Sequence, residues 1–229
     1  MTPALSWPRA VALHLLPGLA GLALFAAAAP VLAAAGLPPV WGMYAAVLLV
    51  LAPIELTLVR RLRGPDGIDT RWPRPRRLIL LLAPTLAAAA LAPGLVQWLE
   101  PGLHDRLHLP SWWRLDPMLS DPARPAWQHA VTIAGWLLCF VVVGPVVEEL
   151  YFRGLLMPRL PTARPAVASA VLFALYHAWQ PYAWLTVAVF ALPLAVAARR
   201  PRGLAVAALT HVLVNLLAFA VLAAGTLHR

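Results

Sequence analysis

Residues 136–147 carry no charge, and they run straight into two adjacent glutamates, Glu148 and Glu149, with Arg153 close behind. Few features constrain a chain more tightly. In lipid, backbone N–H and C=O groups must find partners inside their own segment, so an apolar run of this kind has to be helical. A charged side chain near the middle of such a helix costs roughly 2.5–3.5 kcal/mol on the insertion scale. Two in a row need partners and a task. One partner is on the same helix, because Glu149 and Arg153 are four apart and share a face. Glu148 lies about 100° round the helix from Glu149, free to point into a cavity.

The rest of the chain is apolar to match. Of its 229 residues 62% are hydrophobic and 12% charged, with a mean hydropathy of +0.76. Soluble domains sit at about 45–50% apolar and about 25% charged, so this is an integral membrane protein. Apolar spans recur at residues 11–35, 40–59, 78–99, from 129 through the acidic motif, and at 166–179, 182–198 and 203–224. The first is well beyond the roughly 7–15 apolar residues of a signal peptide and reads as a retained helix. The pattern predicts an all-α polytopic bundle of about seven transmembrane helices, without an internal repeat. It divides into residues 1–128, holding three spans with a basic cytoplasmic loop and an outer interfacial loop, and a helical core at 129–229.

Orientation follows from the cations, all eighteen of which are arginine. With the N-terminus inside, thirteen lie on the inner side. Four, Arg106, Arg114, Arg124 and Arg229, lie outside, and Arg153 belongs to the motif. The excess predicts a cytoplasmic N-terminus and an outer C-terminus. The net charge of +9 thus belongs at the surface of a lipid bilayer, and no nucleic-acid partner is expected. Cys139 is the sole cysteine, which gives no disulfide framework and no thiolate metal site; packing is its expected role.

The connections are polar. Residues 60–77 hold seven arginines against Asp66 and Asp69, a membrane-surface loop broken by proline and glycine. Trp112, Trp113 and Trp127, in the proline-rich segment 100–128, are expected as interface anchors. His104 and His108 are four apart, but Pro110 and the lack of a third ligand nearby argue against a metal there. Glu55, about a turn from Arg60 and Arg61, reads as an interfacial ion pair, and Gly144-Pro145 predicts a kink that opens space beside the carboxylates.

Inside the apolar spans stand Glu148, Glu149 and Arg153, then His177, then His211 and Asn215. Ionisable groups at such depth face the bundle interior and mark a site. His211 and Asn215 share a helical face; so do Phe173 and His177, which lets the phenyl ring wall the cavity beside the imidazole. No serine stands ready as a nucleophile, Ser169 being two turns from His177. A carboxylate taken out of water can instead act as the base for a water that attacks a carbonyl. Asn215 and His211 suit the resulting oxyanion, and His177 can hold the water or protonate the leaving amine. Two other readings stay open. One is a zinc-dependent intramembrane metalloprotease with Glu and His ligands, although no HExxH is present. The other is a non-catalytic scaffold or transporter-like protein, since polar clusters at mid-membrane also bind ions.

The three motifs together resemble those of a known family. Glu148-Glu149 with Arg153 fits EExxxR, Phe173 to His177 fits FxxxH, and His211 to Asn215 fits HxxxN. These are signatures of the CAAX protease and bacteriocin-processing (CPBP) family of intramembrane glutamic endopeptidases, which includes type II CAAX prenyl proteases. The resemblance covers residues 129–224. It implies Glu148 as catalytic base assisted by His177, an oxyanion hole of His211 and Asn215, and Glu149 with Arg153 as a supporting ion pair beside Phe173. It also implies a metal-free, cofactor-free hydrolase acting on a membrane-associated or lipidated protein, prenylated or bearing a C-terminal sorting tail. The location that goes with it is a bacterial inner (plasma) membrane.

Overall fold

The computed structural model describes residues 4–63, 67–108 and 124–227, with side chains to 224. All regular structure among them is helical. In chain order the helices are α1 (Trp7–Ala34), α2 (Val40–Leu62), α3 (Pro75–Arg106), α4 (Ala126–Arg159), α5 (Pro165–Tyr176), α6 (Pro181–Ala198) and α7 (Gly203–Leu227). Six are long and apolar enough to cross a membrane; α5 has 12 residues and is shorter. The all-α bundle read from the apolar spans is the fold.

Small residues let the helices close up, as they must where lipid competes with protein for apolar contact. Gly18 in α1 lies so near the Tyr176 carbonyl, at the end of α5, that a Cβ there has no room. Gly135 in α4 likewise accepts the ring of Tyr44 from α2, whose hydroxyl donates to the Thr132 carbonyl at 2.7 Å. The turn between α1 and α2 is made by Gly36, whose φ of +69° suits a residue without a Cβ. Trp127, expected at the interface, is exposed and meets the Trp41 ring at 5.9 Å. Trp112, Trp113, Asp66, Arg114 and Arg229 lie outside the described residues.

Two helices depart from regular α geometry, in ways that shape the site. α3 loosens at residues 92–99 before a last segment, Glu100–Arg106, which packs against Pro181–Ala183 at the start of α6. There His104 is buried, its ring 5.3 Å from that of Tyr182. His108, the other histidine of that pair, is exposed. α4 runs on through Pro145 and adjusts in two stretches of i→i+5 hydrogen bonding, Leu137–Val143 and Glu149–Leu156. Such π-turns cluster at functional sites. The expected kink at Gly144-Pro145 is therefore realised as a widening of the helix.

Candidate active site

The widened turn of α4 explains the first site contact. Gly144 donates its N–H to the Cys139 carbonyl, five residues back. The next residue is Pro145, which has no N–H, so the Phe140 carbonyl has no backbone donor at the same spacing. Asn215 of α7 supplies it, Nδ2 donating to Phe140 O at 2.7 Å. The amide keeps a second N–H for something else.

Three elements, α4, the end of α5 and α7, bring the ionisable groups together. Glu149 and Arg153 are both completely withdrawn from solvent, with Arg153 Nη1 3.0 Å from Glu149 Oε1. Glu149 Oε1 lies off the line of the Nη1–H bonds, so the contact is an ion pair without a formed hydrogen bond, and Glu149 Oε2 makes no hydrogen bond either. The guanidinium instead lies flat against Phe173 of α5, 4.0 Å from the ring centroid, an arrangement favourable for a desolvated cation. Glu149 also accepts from His211, whose Nδ1 is 3.0 Å from Oε1. The other edge of that imidazole faces Glu148, with Nε2 3.9 Å from Oε2. His211 thus stands between the two glutamates, a link the four-residue spacings did not predict.

His177 is the residue just past the end of α5. Its Nδ1 lies 2.8 Å from the Phe173 carbonyl. A carbonyl can only accept, so Nδ1 carries the hydrogen and Nε2 of the neutral ring is left as an acceptor. Glu148, His177, His211 and Asn215 all line one cavity of about 830 Å³, with Phe173 in its wall. Glu149 and Arg153 do not reach it. Among the described residues no three His, Cys, Asp or Glu side chains gather as ligands for an ion.

One expectation is overturned. Glu55 is not an interfacial partner of Arg60 and Arg61, which are exposed. It is 1% exposed, and its Oε1 accepts from the Tyr176 hydroxyl at 2.8 Å. Tyr176 precedes His177 and itself lines the cavity, so Glu55 supports the wall from behind. His14 of α1, passed over in the sequence, is equally buried, with Nδ1 on the Ala10 carbonyl at 2.7 Å and its ring 5.5 Å from Phe152. A sequence signal existed for both: ionisable residues inside apolar spans.

The site is polar and sunk among apolar helices, with Glu148, His177 and His211 around one cavity and Glu149 packed behind them. Residues 130–217, which hold all three motifs, match the family model of the type II CAAX prenyl endopeptidase Rce1-like proteins, so this part of the chain is similar to that family. Proteins of that family are described as endopeptidases, a class of hydrolase. Comparison with curated proteins and with solved structures returned no match.

Proposed function

We propose that the protein is an intramembrane endopeptidase that hydrolyses a peptide bond of a membrane-associated substrate with a water activated by Glu148. The observation that carries this reading is the shared cavity, which Glu148, His177, His211 and Asn215 line from α4, the end of α5, and α7. Water held between the Glu148 carboxylate and the bare Nε2 of His177 gives up a proton to Glu148 as its oxygen bonds to the carbonyl carbon. The charge moves to the carbonyl oxygen. The second N–H of Asn215 is a donor for it, and so is His211 Nε2 when the ring is an imidazolium, with Glu149 as counter-charge across the ring. As the C–N bond breaks, the proton returns to the leaving amine, and the products are an amine and a carboxylate. Glu149 and Arg153 hold His211 and the π-turn in place without meeting substrate.

Substrate trapping tests the proposal. Membranes from cells carrying Glu148→Gln should accumulate an uncleaved precursor that wild-type protein removes. Equal processing by wild type and variant would overturn it.

A further inference from the structure

Every helix that lines the cavity does so clear of its arginine-bearing end. On α2 the lining residues are Met43, Val47 and Leu51; on α4 they run from Trp136 to Glu148, and on α7 from His211 to Leu222. α5 contributes its last turn from Phe173, and α6 its first half down to Phe190. The deepest lining residue on each of these five helices stops eight to eleven residues short of the arginine-bearing end, namely Leu51, Glu148, Phe173, Phe190 and His211. On α3 only the part beyond the break, from Gly94 to His104, takes part. The cavity therefore extends away from the arginine-rich loops and lies under the Glu100–Arg106 segment.

Its other end is shut. Tyr151, Phe152, Arg153, Leu155 and Leu156 are all 0–2% exposed and fill α4 between Glu148 and its arginine-bearing terminus. Ile68, from the arginine-rich loop itself, packs onto Gly154 so closely that a Cβ there would strike it. Tyr151 donates to the Leu13 carbonyl at 2.6 Å and ties this wedge to α1. Eight to eleven helical residues amount to about 12–16 Å of packed protein.

Combining this polarity with the thirteen-to-four arginine distribution, we infer that the cavity opens only on the non-cytoplasmic face. The substrate is then a membrane-anchored polypeptide whose scissile bond has already crossed to the outer half of the bilayer. This rests on the proposed peptidase reading for the word substrate, but the geometry stands without it. The walls suit such a segment: Trp98, Trp136, Phe140, Trp179, Phe190 and Phe219 line the cavity, and such aromatic, largely apolar surfaces accept apolar side chains while the few polar groups fix register.

The test is cysteine accessibility in a Cys139→Ala background. Gln97→Cys and Thr186→Cys sample the cavity; Arg71→Cys and Arg200→Cys sample the arginine-rich loops. A charged, membrane-impermeant maleimide is applied to right-side-out and to inverted vesicles from expressing cells. Both cavity cysteines should label in right-side-out vesicles, and both loop cysteines only in inverted ones. Labelling of Thr186→Cys from the side that labels the loops, from neither side, or with all four positions reversed would overturn the inference. The same pattern is expected with Glu148→Gln added, so loss of the peptidase reading and loss of the sidedness are told apart. If the trapped precursor exists, proteinase added to right-side-out vesicles should degrade the segment that wild type removes.

Discussion

Glu148 and Glu149 are neighbours in sequence and opposites in setting. Glu148 borders a cavity and meets His211 at 3.9 Å; Glu149 is fully buried with Arg153 at 3.0 Å and the same histidine at 3.0 Å. A single step along a helix turns a side chain by about 100°, enough here to separate a group that can reach substrate from one that holds the frame. The lesson is that a pair of acids in a membrane helix need not share a setting, and the different roles proposed for them rest on the packing behind each.

Substitution should split them. The largest effect is expected for Glu148→Gln, which removes the proposed general base and should lower turnover by about 10²–10⁴-fold while thermal stability in detergent stays at the wild-type value. Glu149→Gln should behave in the opposite sense. It leaves Arg153 uncompensated in a dry site, a change of about 3–5 kcal/mol for breaking one partner of a buried pair, and should lower the melting temperature as well as activity. A stable, inactive Glu149→Gln beside an active Glu148→Gln would reverse the two assignments.

Smaller effects sharpen the contrast between wall and frame. Gly18→Ala forces α1 off the Tyr176 carbonyl and is expected to cost about 1–3 kcal/mol by overpacking, with a rise in KM because the end of α5 carries His177. Glu55→Leu orphans the buried Tyr176 hydroxyl and should cost about 1–3 kcal/mol. Glu55→Gln keeps an acceptor oxygen and should stay within about 1 kcal/mol; equal losses for both would mean that the charge of Glu55, not its hydrogen bond, matters. The smallest expected effect is none: exhaustive chelation should leave cleavage unchanged. Loss of activity restored by Zn²⁺ would replace water activation by Glu148 with a metal mechanism.

Much of this was legible in the sequence, and the parts that were not share a cause. Apolar runs mark helices because lipid leaves the backbone no other option, so the bundle and the position of each motif followed directly. The pairing of Glu149 with Arg153 could be read because i,i+4 contacts are local. The four-residue rule sees only its own helix, however. It paired Glu55 with the nearby Arg60 and Arg61, whereas the true partner, Tyr176, is 121 residues away on another helix. It also missed that His211 bridges both glutamates across 62 residues. The proline in α4 announced a disturbance, but not that Asn215 would take the carbonyl it leaves bare.

The packed wedge between Glu148 and the arginine-bearing ends has one more consequence, an electrical one. If the cavity opens to one aqueous phase as inferred above, the resting voltage falls across the remaining 12–16 Å or so rather than across a core of about 30 Å. The local field is thereby about doubled, and each 100 mV still weighs about 2.3 kcal/mol on every charge that crosses. Phe152, Leu155 and Leu156, all 0–1% exposed, are the insulation. A membrane protein that admits water this far would be half of an ion channel, and those three side chains would keep it from becoming a whole one.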